Sequence, residues 1–364
     1  MNTIHHAHAA ALQNSRLATV AQLAEFDEII DARSEAEYAE DHIPGAINCP
    51  VLDNAERARI GTIYKQASAF DAKKIGAALV SRNIARHLET RFADRPRGWR
   101  PLVYCWRGGS RSGAFAHVLQ QVGWRVGRLD GGYKAYRRAV IADLHERPPQ
   151  FRWRVICGLT GSGKSRLLRA LALRGAQVLD LEVLAAHRGS VLGDLPGAPQ
   201  PAQRMFESLM WAELRKFDGA QPVWVEAESK KIGSVRVPES LIASMWCGEC
   251  VRLEASVALR VAMLMEEYRH FVSDPALLGT QLDCLVAHYG RDRIGAWKLL
   301  AAAGGWDALV RELLENHYDP AYTRSTLKHY PHYADGMQLE VTADSDAAFD
   351  ALAARLTPHA SRLL

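Results

Sequence analysis

The chain has 364 residues, 48% hydrophobic and 24% charged, a balance that excludes a disordered tail protein, a collagen-like chain and a small disulfide scaffold. Forty-five basic against forty-one acidic residues leave a net charge of +4, which permits a local nucleic-acid-binding patch without demanding one. At roughly 150 residues per domain, this length predicts about two domains.

No stretch approaches the roughly 18–20 uncharged apolar residues of a membrane span. Met1-Asn-Thr-Ile-His-His-Ala-His8 has no basic segment followed by an apolar one, so no secretion signal and a cytoplasmic location are expected. Six cysteines (Cys49, Cys105, Cys157, Cys247, Cys250 and Cys284) favour free thiols, a metal or one reactive cysteine over disulfides.

In chain order, Phe26–Ile30 and Pro101–Tyr104 read as buried strands. Ser112–Val122 reads as a helix stopped by Gly123, and Arg125–Leu129 as a return to strand. Strand and helix in alternation predict a parallel α/β sheet. The pattern breaks near His145-Glu-Arg-Pro-Pro-Gln150, where adjacent prolines predict a linker, so the expected domains are residues 1–147 and 148–364. Trp153–Cys157 then predicts a strand, Lys164–Leu173 a helix closed by Gly175, and Ala176–Asp180 the next strand. Pro222–Glu226, Cys250–Leu253 and Met337–Val341 supply further strands, while Ala258–Phe271 and Ala296–Asn316 are expected to be helical.

Gly158-Leu-Thr-Gly-Ser-Gly-Lys-Ser165 fits G-x-x-x-x-G-K-[ST] at every fixed position, between a strand and a helix. Gly158, Gly161 and Gly163 let the backbone wind tightly, so that successive N–H groups face phosphate oxygens in the field of the helix N-terminus. Lys164 would reach a terminal phosphate, and Ser165 would hold Mg²⁺ if a metal is used. Asp180 and Glu182 end one strand and Glu226 and Glu228 another, with Glu226 the better candidate for positioning a metal or water. The motif establishes a phosphate-bearing ligand; it does not establish hydrolysis.

Tyr104-Cys105-Trp-Arg-Gly-Gly-Ser-Arg111-Ser112 places a cysteine between an apolar strand and a helix start. A loop there wraps N–H groups around an anion, and the helix dipole with Arg107 and Arg111 favours the thiolate and an oxyanion partner. That is the equipment of nucleophilic sulfur chemistry.

Other signals carry less. Cys247-Gly-Glu-Cys250 has C-x2-C spacing but no second pair, and His5, His6 and His8 sit at the terminus, so no metal site is expected at either. Met263 and Met265 read as core filler. RNA contact has scattered candidates: Arg152, Arg154, Lys230, Lys231, Arg236, Arg291 and Arg293 for phosphates, Trp124, Tyr133 and Tyr136 for base stacking. Each reads more readily as a solvated charge or a core aromatic.

Asp31-Ala-Arg-Ser34, Glu37-Tyr38, His42-Ile-Pro-Gly-Ala-Ile-Asn48 and Asp130-Gly-Gly-Tyr-Lys134, together with the cysteine loop, resemble the rhodanese family. The resemblance implies a loop cysteine able to carry a persulfide. The loop is one residue longer than in the commonest sulfurtransferases, and Cys105 and Arg111 have the C-x5-R spacing of cysteine phosphatases, which suits a larger or phosphate-like anion.

A rhodanese-like half followed by a P-loop half resembles the tRNA 2-selenouridine synthase family from about residue 20 onward. Asp180-Leu-Glu, His187-Arg-Gly-Ser190, Gln203 with Phe206-Glu207, and Val225-Glu-Ala-Glu-Ser229 with Ile232-Gly233 extend the likeness. It implies an α/β protein: a rhodanese-like parallel sheet, then a P-loop NTPase-like parallel sheet with C-terminal helices. It also implies that wobble 2-thiouridine of tRNA is S-geranylated by geranyl diphosphate, after which selenium from selenophosphate displaces the geranylthio group. Cys105 would carry selenium, and the P-loop would hold the diphosphate or a nucleotide. No tightly bound cofactor is expected, and a selenophosphate-producing enzyme would be the donor source. Two other readings stay open. One is a sulfurtransferase or C-x5-R phosphatase fused to an ATP-dependent P-loop domain acting on small molecules; the other is a nucleotide-gated sulfur carrier.

Overall fold

The computed structural model describes residues 16–357; the histidines at 5, 6 and 8 lie outside them. The chain divides into two compact units, Met1–Asp143 and Leu144–Leu364. Among the described residues no helix is long and apolar enough to cross a membrane, and the six cysteines are free thiols.

The first unit is built on five parallel strands: β1 Arg16–Ala18, β2 Glu28–Asp31, β3 Ile47–Asn48, β4 Pro101–Tyr104 and β5 Gly127–Leu129. Their order is β1-β5-β4-β2-β3. Every residue of central β4 is buried, as expected of a strand covered on both faces. The helix Ser110–Val122 ends at Gly123, whose φ of +107° closes it in the left-handed conformation. Ile30, Val103, Phe115 and Leu119 join Ile84 in one core.

Two helices of this unit carry no readable stripe. Asn54–Gln66 buries none of its residues. The 22-residue helix Ala69–Thr90 buries Ala72, Gly76, Asn83, Ile84 and His87, a face that mixes small and polar side chains with the apolar Ile84.

The second unit repeats the architecture with β6 Trp153–Cys157, β7 Gln177–Leu179, β8 Val223–Glu226, β11 Glu249–Ala255 and β12 Met337–Val341. All are parallel, in the order β12-β11-β6-β8-β7. A small antiparallel hairpin, β9 Lys231–Ile232 with β10 Val235–Arg236, stands apart from the sheet. Leu167, Leu168 and Leu171 of the helix Lys164–Leu173 pack with Phe349, Leu352 and Leu356 of the last helix, Asp346–Leu356.

The C-terminal helices differ from the sequence reading. The expected run Ala258–Phe271 is two helices, Val257–Glu267 and Arg269–Ser273, parted at Tyr268, whose ψ is +31°. The expected run Ala296–Asn316 begins earlier, within Val286–Ala302, which is kinked at Gly290 (φ +77°), and stops where Gly304 takes a φ of +73°. It resumes as Trp306–Leu313 and opens into one π turn, Leu314–Tyr318.

Candidate functional site

In the first unit, Cys105 follows β4 directly and is 3% exposed. Its Sγ lies 3.2 Å from the Ser112 hydroxyl, in the first turn of the helix Ser110–Val122. The loop is fixed from behind. Tyr133 and Lys134 donate backbone N–H groups to the carbonyls of Cys105 and Trp106, at 2.9 and 3.1 Å. This approach is close enough to require glycine: at Gly132 (φ +57°) a Cβ would collide with the Cys105 carbonyl and the Gly108 nitrogen. The Gly-Gly that closes the rhodanese signature is therefore a steric demand of the cysteine loop.

Beneath the loop lies a buried ionic group. Arg33 Nη2 reaches Asp31 Oδ2 and the Asp41 carbonyl, both at 2.6 Å, and its guanidinium stacks over the Tyr133 ring at 3.9 Å. The Tyr133 hydroxyl in turn donates to Asp41 at 2.8 Å. Burial would disfavour the charge on Arg33, but the Asp31 carboxylate outweighs it and secures the cation.

The two loop arginines diverge. Arg107 is exposed. Arg111 pairs with Glu37 Oε2 at 2.8 Å, and Arg57 meets the same oxygen at 2.9 Å. Burial pulls the Glu37 carboxyl upward, yet the Arg111 hydrogen bond and charge win and leave it below its ordinary value. Of the aromatic candidates for RNA stacking, Tyr133 and Tyr136 are core residues, at 3% and 0% exposure, and so are unavailable to a base. The Trp124 indole donates to the Pro96 carbonyl.

In the second unit, the P-loop runs from β6 into the helix Lys164–Leu173. Its glycines are wedged against neighbours. A Cβ on Gly161 (φ +78°) would stand 2.8 Å from Leu264, and one on Gly163 (φ +86°) would strike the Phe349 ring. Gly158 donates its N–H to the Tyr322 hydroxyl at 2.8 Å. Arg260, 2% exposed, holds the Thr160 carbonyl at 2.8 Å and pairs with Asp319 through both terminal nitrogens. Lys164 Nζ is turned onto the loop's own carbonyls, 2.9 Å from Gly158 and 3.4 Å from Leu159.

Three carboxylates face this loop. Glu226 ends β8 beside Ile156 of the P-loop strand, and its carboxylate clusters with those of Glu182 and Glu228. The nearest oxygens of the three all lie within 4.8 Å of one another. Ser165 donates to Glu182 at 3.3 Å. Burial raises all three carboxyls, and their mutual repulsion adds to it for Glu182 and Glu228 while Lys164 opposes it. Glu226 and Glu228 are pushed up to about 7. Glu226 Oε1 is buried without a hydrogen-bond partner. Three oxygens this close, with one unsatisfied, fit a hard divalent cation such as Mg²⁺.

Asp180 is placed differently. It caps the short helix Leu181–Ala185 by accepting from the Val183 N–H, and it is absent from the lining of the cleft that holds the other acids. That cleft, about 390 Å³, is lined by Gly161, Gly163, Lys164 and Ser165, the three glutamates, and an aromatic group of Tyr268, Tyr318, Tyr322 and Tyr330. Gly189 crosses the carboxylates so closely that a Cβ there would stand 2.7 Å from Glu228. The tyrosines and Arg260 escaped the sequence reading. Arg260 left a trace, as a lone cation within the apolar run Val257-Ala-Leu-Arg-Val-Ala-Met263.

At Cys247-Gly-Glu-Cys250 the first thiol is exposed and the second buried. Among the described residues, Glu182, Glu226 and Glu228 form the one group of three or more side chains able to converge on a metal.

Residues 151–277 match the family model described as the tRNA 2-selenouridine synthase AAA domain, and residues 16–139 match the Rhodanese-like domain. Relatives named tRNA 2-selenouridine synthase include the following three. That of Nitrosomonas europaea is 35% identical over 66% of this chain, and that of Hydrogenovibrio crunogenus 36% over 66%. That of a Sulfurovum species is 30% identical over 81% of this chain and 87% of its own length. The matched stretch spans 63% of the Nitrosomonas protein and 67% of the Hydrogenovibrio protein.

Proposed function

The chain belongs to the tRNA 2-selenouridine synthase family, and we propose that it converts wobble 2-thiouridine of tRNA to 2-selenouridine through an S-geranylated intermediate. In the first step the thiocarbonyl sulfur attacks C1 of geranyl diphosphate; the C–S bond forms, the C–O bond breaks and diphosphate leaves. In the second, the selenium of selenophosphate adds at C2, the C–S bond breaks and geranylthiol departs, and water cleaves the P–Se bond to release phosphate. Alkylation makes a poor sulfur leaving group into a better one.

The observation that carries this reading is the P-loop cradle with Lys164 Nζ turned onto two backbone carbonyls, in the lining of a cleft of about 390 Å³. The backbone N–H groups around Gly161 and Gly163 would bind the diphosphate, and Lys164 would neutralise the charge that grows on it as the C–O bond breaks. Ser165, Glu182 and Glu226 would hold Mg²⁺, which adds further charge neutralisation when bound. Cys105, at its helix N-terminus with Ser112 beside the sulfur, would serve the selenium step, since prenyl transfer needs no protein thiol. The tRNA with 2-thiouridine is the macromolecular substrate, and a selenophosphate-producing enzyme the donor source.

Titration of the full chain with geranyl diphosphate, ATP and GTP tests the assignment of the P-loop. Geranyl diphosphate is expected to bind and to be displaced by pyrophosphate. Tight nucleotide binding without geranyl diphosphate binding would overturn it in favour of an ATP-dependent domain.

A further inference from the structure

A second cavity, about 70 Å³, opens beside the P-loop cleft. Thr160, Ser190, Leu264, Tyr268 and Tyr318 line both, so the two share a mouth, with Leu264 lying under Gly161 of the P-loop itself. Beyond that mouth the walls are hydrocarbon: Leu192, Met265, Phe271, Leu309, Val310 and Leu313. Part of this lining is core: Phe271, Leu278, Leu309 and Leu313 pack into one cluster with Leu282 and Trp297. The π turn Leu314–Tyr318 contributes its first and last residues to this cavity, and the last of them also lines the cleft.

We propose that this pocket receives the isoprenoid chain of the diphosphate held in the P-loop, and that its size limits the chain's length. The inference rests on the prenyl-transfer reading above and names the residues that would select the tail. A purine or ribose buried here would leave its ring nitrogens or hydroxyls without partners, a cost a hydrocarbon tail does not meet. An anion cradle that shares lining residues with an apolar pocket is complementary to a ligand with a charged head and an apolar tail. The head is fixed by the P-loop, so the tail's reach is set by the core residues Phe271, Leu278 and Leu309 that line the pocket without lining the cleft.

Calorimetric titration of the full chain with pyrophosphate and with dimethylallyl, geranyl and farnesyl diphosphates tests this directly. Geranyl diphosphate is expected to bind at least about tenfold more tightly than pyrophosphate, each buried methylene adding to affinity. Val310→Phe, and independently Met265→Trp, should weaken geranyl diphosphate by about tenfold or more while pyrophosphate binding, which also reports folding, persists. Leu309→Ala should shift preference toward farnesyl diphosphate. Equal affinity for pyrophosphate, dimethylallyl and geranyl diphosphates would overturn the pocket assignment and leave the P-loop assignment standing. Binding of ATP with none of the diphosphates would overturn both.

Discussion

Lys164 Nζ donates to the carbonyl of Gly158 at 2.9 Å, so the P-loop's first glycine holds its lysine in place of a phosphate. A bound diphosphate would exchange that neutral acceptor for a charged one, a stronger bond. Lys164→Ala is therefore expected to raise the dissociation constant for pyrophosphate by about 10- to 100-fold, as loss of a charged hydrogen bond should. Calorimetry checks this, with circular dichroism to show an unchanged fold. Unaltered pyrophosphate affinity would place the anion elsewhere.

Glu226 couples the same cleft to pH. Burial holds its carboxyl up at about 7, against an ordinary 4.5 in the unfolded chain. Between those values the native state carries more protons than the unfolded one, so stability falls as pH rises through that window and levels off above it. Glu226→Gln removes the ionisation. Between pH 5 and pH 8 the variant should lose less unfolding free energy than the wild type, the difference being on the order of 1–3 kcal/mol. Urea denaturation at the two pH values measures it; parallel losses in both proteins would contradict the assignment.

Gly132 tests the steric logic of the cysteine loop. An alanine there must adopt a φ of +57° and drive its Cβ into the Cys105 carbonyl. Gly132→Ala should destabilise the protein by roughly 2–4 kcal/mol, the left-handed strain and the overlap acting together. Gly123→Ala serves as the comparison: its φ is also positive, but a Cβ would meet nothing within 4 Å. Strain alone predicts about 1–2 kcal/mol there. Equal losses would remove the case for close packing behind Cys105.

Phe349 carries the last helix onto the P-loop through Gly163, and its ring is 1% exposed. Phe349→Ala should cost about 3–5 kcal/mol as a core cavity. Because the ring abuts the residue that precedes Lys164, pyrophosphate binding should weaken as well. A stable variant with wild-type binding would show that the C-terminal helix does not support the cradle.

Both sheets were legible wherever a short apolar run met a glycine. Pro101–Tyr104, Trp153–Cys157 and Met337–Val341 have the extents the residues predict, and the P-loop helix begins and ends at Lys164 and Leu173 as read. What escaped notice has physical reasons. Asn54–Gln66 buries nothing and leaves no stripe, and Ala69–Thr90 packs through Ala, Gly, Asn and His as well as Ile84. The break at Gly304 was hidden inside a helix-favouring run of alanines and leucines. In the candidate site, spacing alone reached Lys164, Ser165 and Glu226, which share the cleft. Glu182 and Glu228 were legible as strand-end acids beside Glu226, and the pairing of β7 with β8 brings the two strand ends together; the tyrosines at 268, 318, 322 and 330 come from segments distant in sequence, whose approach no local pattern encodes.

The central claim is a division of labour between Lys164 and Cys105, and nucleoside mass spectrometry tests it most directly. A 2-thiouridine tRNA is incubated with geranyl diphosphate and then selenophosphate, using wild type, Cys105→Ala and Lys164→Ala. The account predicts 2-selenouridine with wild type only, a persisting S-geranyl nucleoside with Cys105→Ala, and unmodified 2-thiouridine with Lys164→Ala. Geranylation that vanishes in Cys105→Ala while surviving in Lys164→Ala, both proteins being folded, would contradict it.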